Sequence, residues 1–431
     1  MPMNRRSFLR TSLAAGVSLA AIPPAEAQAD RKYRLALVGT GWWGMNILRT
    51  AMDAGDCRLV ALCDVDENQI NRAAQEVQGK TSDSFKRRHD FREMLAHEKP
   101  EIVIVATPDH WHPLITIAAV NAGAHVYVEK PVSHTIAEGR AMVAAARKND
   151  RRVQVGTHRR VSPHNISGME FLKSGKVGRI GMVRAYLDGN GGAGGPTADS
   201  DPPPGLDWDF WLGPAPLRKY NRAIHPRGFR YFLDYANGQM GDWGVHWFDQ
   251  LLWWTEQKAP RSISSTGGRF VRRDSTDAPD TQVATYEFEG FTAIWEHRDY
   301  GGSGSEKSWV GCTFYGTEGT FHMGWLDGWT FYPRNQGQAS IHQPAQLHSP
   351  DSQNIQELWA DFIASIRSGG RPICDIENGH RATTMSLLAM LSLKLGRSIP
   401  WDGEKEEIPG DAEANRLLRR QYRGPWVYPS A

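Results

Sequence analysis

Short apolar runs alternate with amphipathic stretches over the part of the chain that follows residue 31. The apolar runs occupy residues 35–38, 58–63, 102–106, 125–128 and 152–155, and the segments between them have helical spacing over residues 45–54, 67–78, 90–97, 112–122 and 136–148. Continuous apolar strands that alternate with helices indicate a parallel sheet that is covered on both faces. We therefore predict an α/β domain over residues 31–155.

A different pattern follows residue 156. Residues 261–266, 282–288, 292–297, 308–315 and 319–323 alternate apolar and polar side chains, which predicts an open, mainly antiparallel sheet with one buried face. Amphipathic helices are predicted over residues 164–174, 355–367 and 379–395. These elements indicate an α+β domain over residues 156–400, and the aromatic tail at residues 401–431 is expected to pack back on the body.

The first predicted strand leads into a glycine-rich turn. Gly39, Gly41 and Gly44 form a Gly-x-Gly-x-x-Gly pattern between a strand and a helix, and Asp64 ends the next strand. Such glycines allow close approach to a pyrophosphate, the helix N-terminus supplies amide donors, and the acid accepts ribose hydroxyl groups. The alternative is a turn that merely joins a strand to a helix. The full context favours a Rossmann dinucleotide-binding domain.

Asp64 also bears on the type of nucleotide. Its carboxylate would repel a 2′-phosphate, so NAD is favoured over NADP unless the basic run at residues 86–88 folds back to supply a cation. Trp42 and Trp43 are bulky where the glycine pattern accepts any residue, and we expect them to help bury the nucleotide.

Composition and the first thirty residues limit the function classes. The chain has 431 residues and a formal net charge of +2, which gives no reason to expect nucleic-acid binding. Residues 1–30 carry Arg5 and Arg6, then a short apolar run, then a small-x-small site that ends at Ala27. The apolar run is too short to span a bilayer as a stable anchor. This order predicts a twin-arginine signal peptide and export of the folded protein to the periplasm or beyond.

Two further motifs resemble the Gfo/Idh/MocA oxidoreductase family. They are Ala106-Thr107-Pro108-Asp109-His110-Trp111-His112 and the strand end Glu129-Lys130-Pro131. The resemblance implies a lysine between nicotinamide and substrate and a cis peptide before Pro131. It also places the first motif against the nicotinamide ribose, which argues against a metal site at its aspartate and histidines. The nucleotide-binding residues that it implies are Thr107, Pro108, His112, Glu129 and Lys130.

Lys130 also has a physical rationale of its own. An ammonium group at the end of a buried strand can polarise a substrate oxygen and favour the negative charge that develops during hydride transfer. The alternative is a surface lysine that caps a loop.

The predicted chemical centre of the second domain is a helix that carries Asp242, His246 and Asp249 at i, i+4 and i+7. The first two match the family's Asp-x-x-x-His, which acts with the lysine. The resemblance implies that His246 is the general base, with a pKa near neutrality, and that Asp242 orients Lys130 or the substrate and stabilises the charged base. Asp249 is expected to support His246 or to cap locally. A satisfied buried His–Asp pair is the structural alternative.

The sequence departs from the family around the expected sugar pocket. Tyr235 begins a segment that is usually richer in glycine, and His158 stands where a glutamine is usual. We predict that His158, Arg159 and Tyr235 contact the substrate together with Asp242 and His246.

These expectations describe an exported NAD(H)-dependent oxidoreductase that acts on a sugar, a sugar derivative or a cyclitol. We expect a homo-oligomer, no bound metal, and a nucleotide that stays bound as a prosthetic group because the destination supplies none. Two alternatives remain open. One is an NAD-dependent glycosidase that oxidises and then eliminates, against which Lys130 argues because the comparable motif there lacks the lysine. The other is a non-enzymatic nucleotide-binding protein.

Overall fold

The computed structural model describes residues 31–304, 306, 308–348 and 352–430. The predicted signal peptide over residues 1–30 lies outside the described residues, so export remains a prediction. Within the described part of the chain, no helix combines the length and the apolar character that crossing a bilayer requires.

The N-terminal sheet has six parallel strands. They are β1 (Tyr33–Val38), β2 (Cys57–Cys63), β3 (Lys86–Arg88), β4 (Ile102–Val105), β5 (His125–Val128) and β6 (Val153–Val155), in the order β3-β2-β1-β4-β5-β6. The helices of this region are α1 (Trp42–Asp53), α2 (Glu67–Gln78), α3 (Phe91–Glu98), α4 (His112–Asn121) and α5 (Ile136–Lys148). β4 is buried along its whole length, which explains its unbroken apolar run. The predicted Rossmann architecture is confirmed.

The second sheet has nine strands. They are β7 (Ile180–Asp188), β8 (Ser262–Gly268), β9 (Thr281–Glu287), β10 (Thr292–Arg298), β11 (Val310–Gly316), β12 (Gly319–Gly324), β13 (Trp329–Pro333), β14 (Ile341–Gln343) and β15 (Ile399–Pro400). Their order is β14-β13-β12-β11-β7-β10-β9-β8-β15, and among the described strands of this second sheet only the β7–β10 pair is parallel. The predicted, mainly antiparallel sheet is confirmed, although the sequence pattern missed the three short strands β13, β14 and β15.

The helices described after residue 156 are α6 (Pro163–Lys173), α7 (Trp208–Leu212), α8 (Val245–Thr255), α9 (Ile355–Ser368), α10 (Ile376–Leu395) and α11 (Ala412–Arg416). Helices α6, α8, α10 and α11 share an apolar core with the second sheet, whereas α9 packs against α1 of the N-terminal domain and α7 lies in a separate apolar cluster. Trp247 and Phe248 of α8 pack with Trp295 and Tyr286 of the sheet in a large apolar core. This packing places the start of α8 beside the N-terminal domain.

Residues 205–236, which we call the strap, lie against the N-terminal domain. Glu67 donates its amide to the Gly205 carbonyl at 2.8 Å, and Asp207 donates to the Val65 carbonyl at 3.0 Å. The strap has an apolar core of its own, made by Leu206, Trp208, Trp211, Leu212, Ala215, Tyr220, Ile224, Phe229, Phe232, Tyr235 and Ala236. A segment of the second domain is thus fixed beside the carboxyl end of β2.

The C-terminal tail lies on the strap. Arg423 donates side-chain hydrogen bonds to the carbonyls of Gly213 and Ala215 at 3.1 and 3.2 Å. The Trp426 ring stacks on Phe210 with centroids 5.5 Å apart. The tail therefore holds the strap from its outer side.

Candidate active site

A cavity of about 750 Å³ lies between the carboxyl edge of the N-terminal sheet and the second domain. This volume is within the range of about 300–1,000 Å³ that is usual for ligand pockets. Most of the predicted site residues line it: Gly39, Gly41, Trp42, Trp43, Asp64, Thr107, Pro108, His112, Glu129, Lys130, Asp242 and His246. Four predicted residues do not, namely Gly44, His158, Arg159 and Tyr235.

The glycine turn has the shape that a pyrophosphate needs. A Cβ on Gly39 would lie 2.6 Å from the Ala106 carbonyl oxygen, and one on Gly44 would lie 2.1 Å from the Gly39 carbonyl oxygen. A Cβ on Gly41, by contrast, would meet no atom within 4 Å. Gly39 and Gly44 are therefore required by packing, whereas Gly41 leaves space at the N-terminus of α1 where no described side chain caps the helix. The turn fits a dinucleotide.

Asp64 lies at the cavity wall beside this turn. Its carboxylate accepts hydrogen bonds from the Thr40 amide at 2.7 Å and the Asp66 amide at 3.0 Å. Burial raises its pKa, and these hydrogen bonds oppose the rise. The residues of the basic strand β3 do not line the cavity, and Arg88 is paired with Glu98 at 2.6 Å. The arrangement suits a ribose without a 2′-phosphate.

His112 joins two loops of the cavity wall. Its Nδ1 is 2.8 Å from the Pro131 carbonyl and its Nε2 is 2.9 Å from the Thr107 carbonyl. Burial lowers its pKa to about 4, so the ring is neutral and donates to one of the two carbonyls. Its nitrogens are therefore engaged by the main chain and not directed at a nucleotide. The Lys130–Pro131 peptide is cis, as the resemblance implied.

Glu129 is a buried residue whose carboxylate contacts the backbone of Lys130. It is 6% exposed, and its carboxylate accepts hydrogen bonds from the Tyr127 hydroxyl at 3.3 Å and the Lys130 amide at 3.2 Å. Burial raises its pKa, while the charge of Lys130 opposes the rise. A Cβ at Gly156 would lie 2.3 Å from its Oε1, so that glycine makes room for it.

Lys130 reaches Asp242 across the junction of the two sheets. Its Nζ donates to Asp242 Oδ1 at 2.6 Å and to the Asp242 carbonyl at 2.9 Å. Arg230 Nε donates to the same Oδ1 at 3.3 Å. Burial alone would raise the pKa of Asp242, but the charges of Lys130 and Arg230 outweigh it and lower the pKa. The carboxylate therefore stays ionised and holds the ammonium group in the cavity.

Asp242 lies in a π-helical turn, Met240–Gly244, that leads directly into α8. π-helical turns are frequent at functional sites. The wider turn changes the direction of Asp242 relative to the residues that follow. Asp249 pairs with Arg160, whose Nε lies 2.9 Å from both carboxylate oxygens. The prediction that Asp249 supports His246 is therefore wrong.

His246 lines the cavity next to Lys130. It is 6% exposed, and its ring centroid lies 4.9 Å from that of Trp325 and 5.7 Å from that of His158. Its Nδ1 is buried and has no hydrogen-bond partner among the described residues. Burial, followed by the positive charge of Lys130, lowers its pKa well below 6.5. The prediction of a pKa near neutrality is corrected: the ring is neutral at pH 7 and free to accept a proton.

The three predicted substrate residues outside the cavity form its supporting layer. Tyr235 is fully buried in the strap core, 5.0 Å from the Trp211 ring. The Arg159 guanidinium lies 4.0 Å from the centre of the Trp325 ring and donates to the Trp325 carbonyl at 2.9 Å. His158 packs edge-on against the same ring at 5.5 Å. Arg159 and His158 therefore position Trp325, which itself lines the cavity.

Sequence reasoning missed several charged residues of the cavity, of which Arg230 and Asp109 lie nearest to Lys130 and Asp242. Arg230 lies in a single 3₁₀-helical turn, Gly228–Tyr231, which is too short to be marked by a periodic pattern. Asp109 was considered only as a metal ligand, but it is 6% exposed and faces the cavity near Arg230. Burial raises its pKa to about 7, while the charge of Arg230 opposes the rise. A carboxyl group that titrates near neutrality is a candidate proton donor or acceptor.

Asp109, His110 and His112 do not converge on one point. His110 is fully buried, and its Nε2 lies 3.1 Å from the Trp211 carbonyl. Across the described ranges, no group of three or more histidine, cysteine and acidic side chains is arranged to hold a metal ion.

Two family models match the chain. One, described as oxidoreductase family, NAD-binding Rossmann fold, matches residues 33–157. The other, described as the C-terminal alpha/beta domain of the oxidoreductase family, matches residues 195–273 and 341–428. Together they cover more than half of the chain and include parts of both sheets.

Curated relatives match over shorter stretches. An inositol 2-dehydrogenase of Salmonella typhimurium is 29% identical over 152 residues, which are 35% of this chain and 44% of that protein. A glycosyl hydrolase family 109 protein of Stenotrophomonas maltophilia is 36% identical over 134 residues, which are 30% of this chain and 29% of that protein. The chain thus aligns with less than half the length of these relatives.

Solved structures match the fold as a whole. The WlbA dehydrogenase of Bordetella pertussis, in complex with NADH and UDP-GlcNAcA, has a TM-score of 0.65 at 20% identity over 86% of this chain and 99% of that one. A levoglucosan dehydrogenase in complex with NADH and levoglucosan has a TM-score of 0.66 at 17% identity, with the same coverage. At these identities the likeness establishes the two-sheet architecture.

Proposed function

Because the chain belongs to the Gfo/Idh/MocA oxidoreductase family, we propose that it uses NAD(H) to oxidise or reduce a CH–OH group of a sugar, sugar derivative or cyclitol. The observation that carries the proposal is the 2.6 Å contact between Lys130 and Asp242 beside His246, in the cavity that also contains the glycine turn. The inositol and levoglucosan named for similar proteins support a polyol or sugar substrate.

Lys130 acts on the substrate oxygen. Its side chain is 16% exposed, and Asp242 holds its ammonium group at the cavity surface. A cation at this position stabilises the alkoxide-like oxygen that forms as the C–H bond breaks. Arg230 donates to the same oxygen of Asp242 as Lys130 does. Asp242 therefore stays in place, and Lys130 keeps its position when one of its own hydrogen bonds passes to the substrate.

His246 takes the proton of the substrate hydroxyl in the oxidative direction. The neutral imidazole accepts H⁺, the carbon loses a hydride, and a carbonyl group forms, so that charge and electrons balance. When bound, the nicotinamide supplies the hydride acceptor or donor. The lowered pKa of His246 makes its ring a weak base. The positive charge of the adjacent Lys130 compensates, because it makes the substrate hydroxyl group more acidic.

Export and tight retention of the nucleotide are part of the proposal. The arginine pair and small-x-small site in residues 1–30 support passage of the folded protein through the twin-arginine machinery. The strap, which lies against the segment after β2, supports a nucleotide that remains bound and is reduced and reoxidised in place. We also propose a dimer or tetramer, because the second sheet exposes Val283 and Tyr315.

A second candidate is an NAD-dependent glycosidase. The 36% identity with a glycosyl hydrolase family 109 protein favours it. Lys130 speaks against it, because the resemblance implies that the comparable glycosidase motif lacks this lysine. The two candidates differ in whether NADH accumulates.

The test uses the purified protein without added nucleotide. Its nicotinamide absorbance is followed while single sugars and cyclitols are added, and an aryl glycoside is tested in parallel. We expect a sugar-dependent redox change, slowed about 10²–10⁴-fold in Lys130→Met and His246→Asn. Lys148→Ala, an exposed lysine at the end of α5, is the control. Release of the aglycone without net NADH would favour the glycosidase, and unchanged rates in both variants would eliminate the proposed site.

A further inference from the structure

We propose that the strap brings a cation, Arg227, to the diphosphate of the bound nucleotide, and that the contact of Arg227 with Trp42 closes the cleft over it. The inference rests on the proposed function only in requiring that a nucleotide bind. It adds a ligand-binding residue from the second domain to a site otherwise formed by the N-terminal one.

Arg227 lies opposite the glycine turn. Its guanidinium carbon is 5.0 Å from the centre of the Trp42 ring. Both side chains line the cavity together with Gly41, whose missing Cβ leaves open space at the N-terminus of α1. A group that occupies this space meets the amides of α1 on one side and the guanidinium on the other.

The charge of Arg227 has no acidic partner among the described residues. Two other arginines of the cavity differ in this respect. Arg49 is paired with Glu76 at 2.6 Å, and Arg230 with Asp242 at 3.3 Å. A guanidinium group presents a fork of donors that matches phosphate oxygens. Arg227 and Arg72, which lies on α2, are therefore the two cavity arginines without an acidic partner in the described part of the chain, and Arg227 is the one that contacts Trp42 at the start of α1.

Trp42 presents an aromatic surface at the rim. Its side chain is 56% exposed, whereas Trp111, on the turn after β4, is 5% exposed. A cation above an aromatic face is held only weakly at an exposed site, so this contact can open. The contact between Trp42 and Arg227 is thus the weak one among the contacts that close the cleft over the nucleotide.

Stronger contacts fix the strap on both sides of the cleft. The Trp111 indole donates to the Trp211 carbonyl at 2.9 Å at the turn after β4. On the other side, Asp207 donates its amide to the Val65 carbonyl at 3.0 Å, just after β2. The strap therefore spans the two turns between which a dinucleotide lies in a Rossmann domain.

One short turn of the strap carries both Arg227, at the diphosphate end of the nucleotide, and Arg230, at its reacting end. Arg230 donates to the Arg227 carbonyl at 3.2 Å while its Nε contacts Asp242. The reacting end and the diphosphate end are thus coupled through neighbouring arginines. Closure over the diphosphate and correct placement of Asp242 depend on the same segment.

The experiment measures nucleotide release, not turnover. NADH fluorescence is followed after excess NAD⁺ is added to the NADH-loaded protein, at low and high salt. We expect Arg227→Ala to raise the dissociation rate constant about 10–100-fold and to reduce its salt dependence, with Arg227→Lys intermediate and Trp42→Ala raised several-fold. Arg222→Ala, an exposed arginine of the same strap outside the cavity, should stay within about twofold of the wild type.

ADP-ribose, which has the diphosphate but no nicotinamide, identifies the group contacted. Its affinity should fall in Arg227→Ala by the same factor as that of NADH. Release from Arg227→Ala within about twofold of the wild type would overturn the proposal, as would a loss confined to NADH. A wild-type protein that binds no NADH would overturn the proposed function as well, so the two failures are distinguishable. Arg227 is exposed, so its variants are expected to fold, and a melting curve checks this.

Discussion

Both carboxylate oxygens of Asp249 lie 2.9 Å from Nε of Arg160. Asp249 therefore forms a buried ion pair with Arg160 and does not support His246. The side chains are 1% and 11% exposed. Removal of one partner of such a pair leaves the other charge buried and uncompensated, which is strongly destabilising.

We therefore expect Asp249→Asn to lower the free energy of unfolding by about 3–5 kcal/mol. Denaturant titration measures the loss. Glu256→Gln, at the exposed end of the same helix, is the control and should leave the midpoint unchanged. A variant with normal stability but a shifted pH profile of turnover would instead restore the link between Asp249 and His246.

Alanine substitutions at Gly41 and Gly44 provide two contrasting tests of the nucleotide site. An added Cβ at Gly41 meets no atom within 4 Å and the residue has an ordinary φ of −70°, so Gly41→Ala should keep the melting temperature. The methyl group occupies the space for a pyrophosphate, and NADH affinity should fall at least about tenfold, or about 1.4 kcal/mol. Gly44→Ala should fail to fold. Undiminished NADH binding by Gly41→Ala, measured by fluorescence titration, would refute the placement of the diphosphate.

Buried neutral histidines predict acid sensitivity. Burial lowers the pKa of four histidines, His112, His125, His164 and His297, to about 4. Because an unfolded histidine titrates near 6.5, the unfolded state binds more protons between pH 6.5 and 4, and stability falls as pH drops through that window. A fully buried member of this group contributes at most about 1.4 kcal/mol per pH unit within that window, and the partly buried His125 contributes less. Stability that is flat from pH 7 to 5 would contradict this.

His297 provides the individual check. Its Nδ1 accepts from the Trp295 indole at 3.1 Å, and its Nε2 lies 3.2 Å from the Pro279 carbonyl, which suits the neutral ring. Proton uptake on unfolding near pH 5.2 should therefore be roughly one proton smaller in His297→Gln than in the wild type.

Asp109 should titrate near neutrality, because burial raises its pKa to about 7. The folded state then holds a proton that the unfolded state releases near pH 4, so stability falls as pH rises from about 4 to 7. Asp109→Asn is expected to flatten this part of the curve and to remove any ionisation near pH 7 from the pH–rate profile. Melting temperatures and rates at pH 5–8 measure both. Asp53→Asn, at the exposed end of α1, should change neither.

The nucleotide half of the site was largely predictable from sequence. Gly39, Asp64 and Lys130 follow buried strands directly, so their register in the chain fixes their place at one edge of a parallel sheet. The antiparallel sheet was also predictable, because one face is buried and the side chains alternate. The short strands β14 and β15 carry polar residues or proline and gave no such signal.

The substrate half of the site depends on backbone that departs from regular helices and strands. A regular helix was predicted through Asp242 and His246, but the π-helical turn changes the direction of the first residue. Arg230 is 100 residues from Lys130 in the chain and reaches Asp242 only because the strap folds back. Tyr235 was placed in the pocket by analogy, while packing against Trp211 buries it.

The strap has a consequence for the order of events during turnover. If the nucleotide stays beneath it, oxidation of one sugar and reduction of another use the same Lys130 and His246 in succession. The first product must then leave before the second substrate enters, and the two substrates compete for the same part of the cavity, where Trp243 and Trp325 lie beside His246. In steady-state terms this is a substituted-enzyme mechanism, with parallel double-reciprocal plots and mutual inhibition at high concentrations of either sugar.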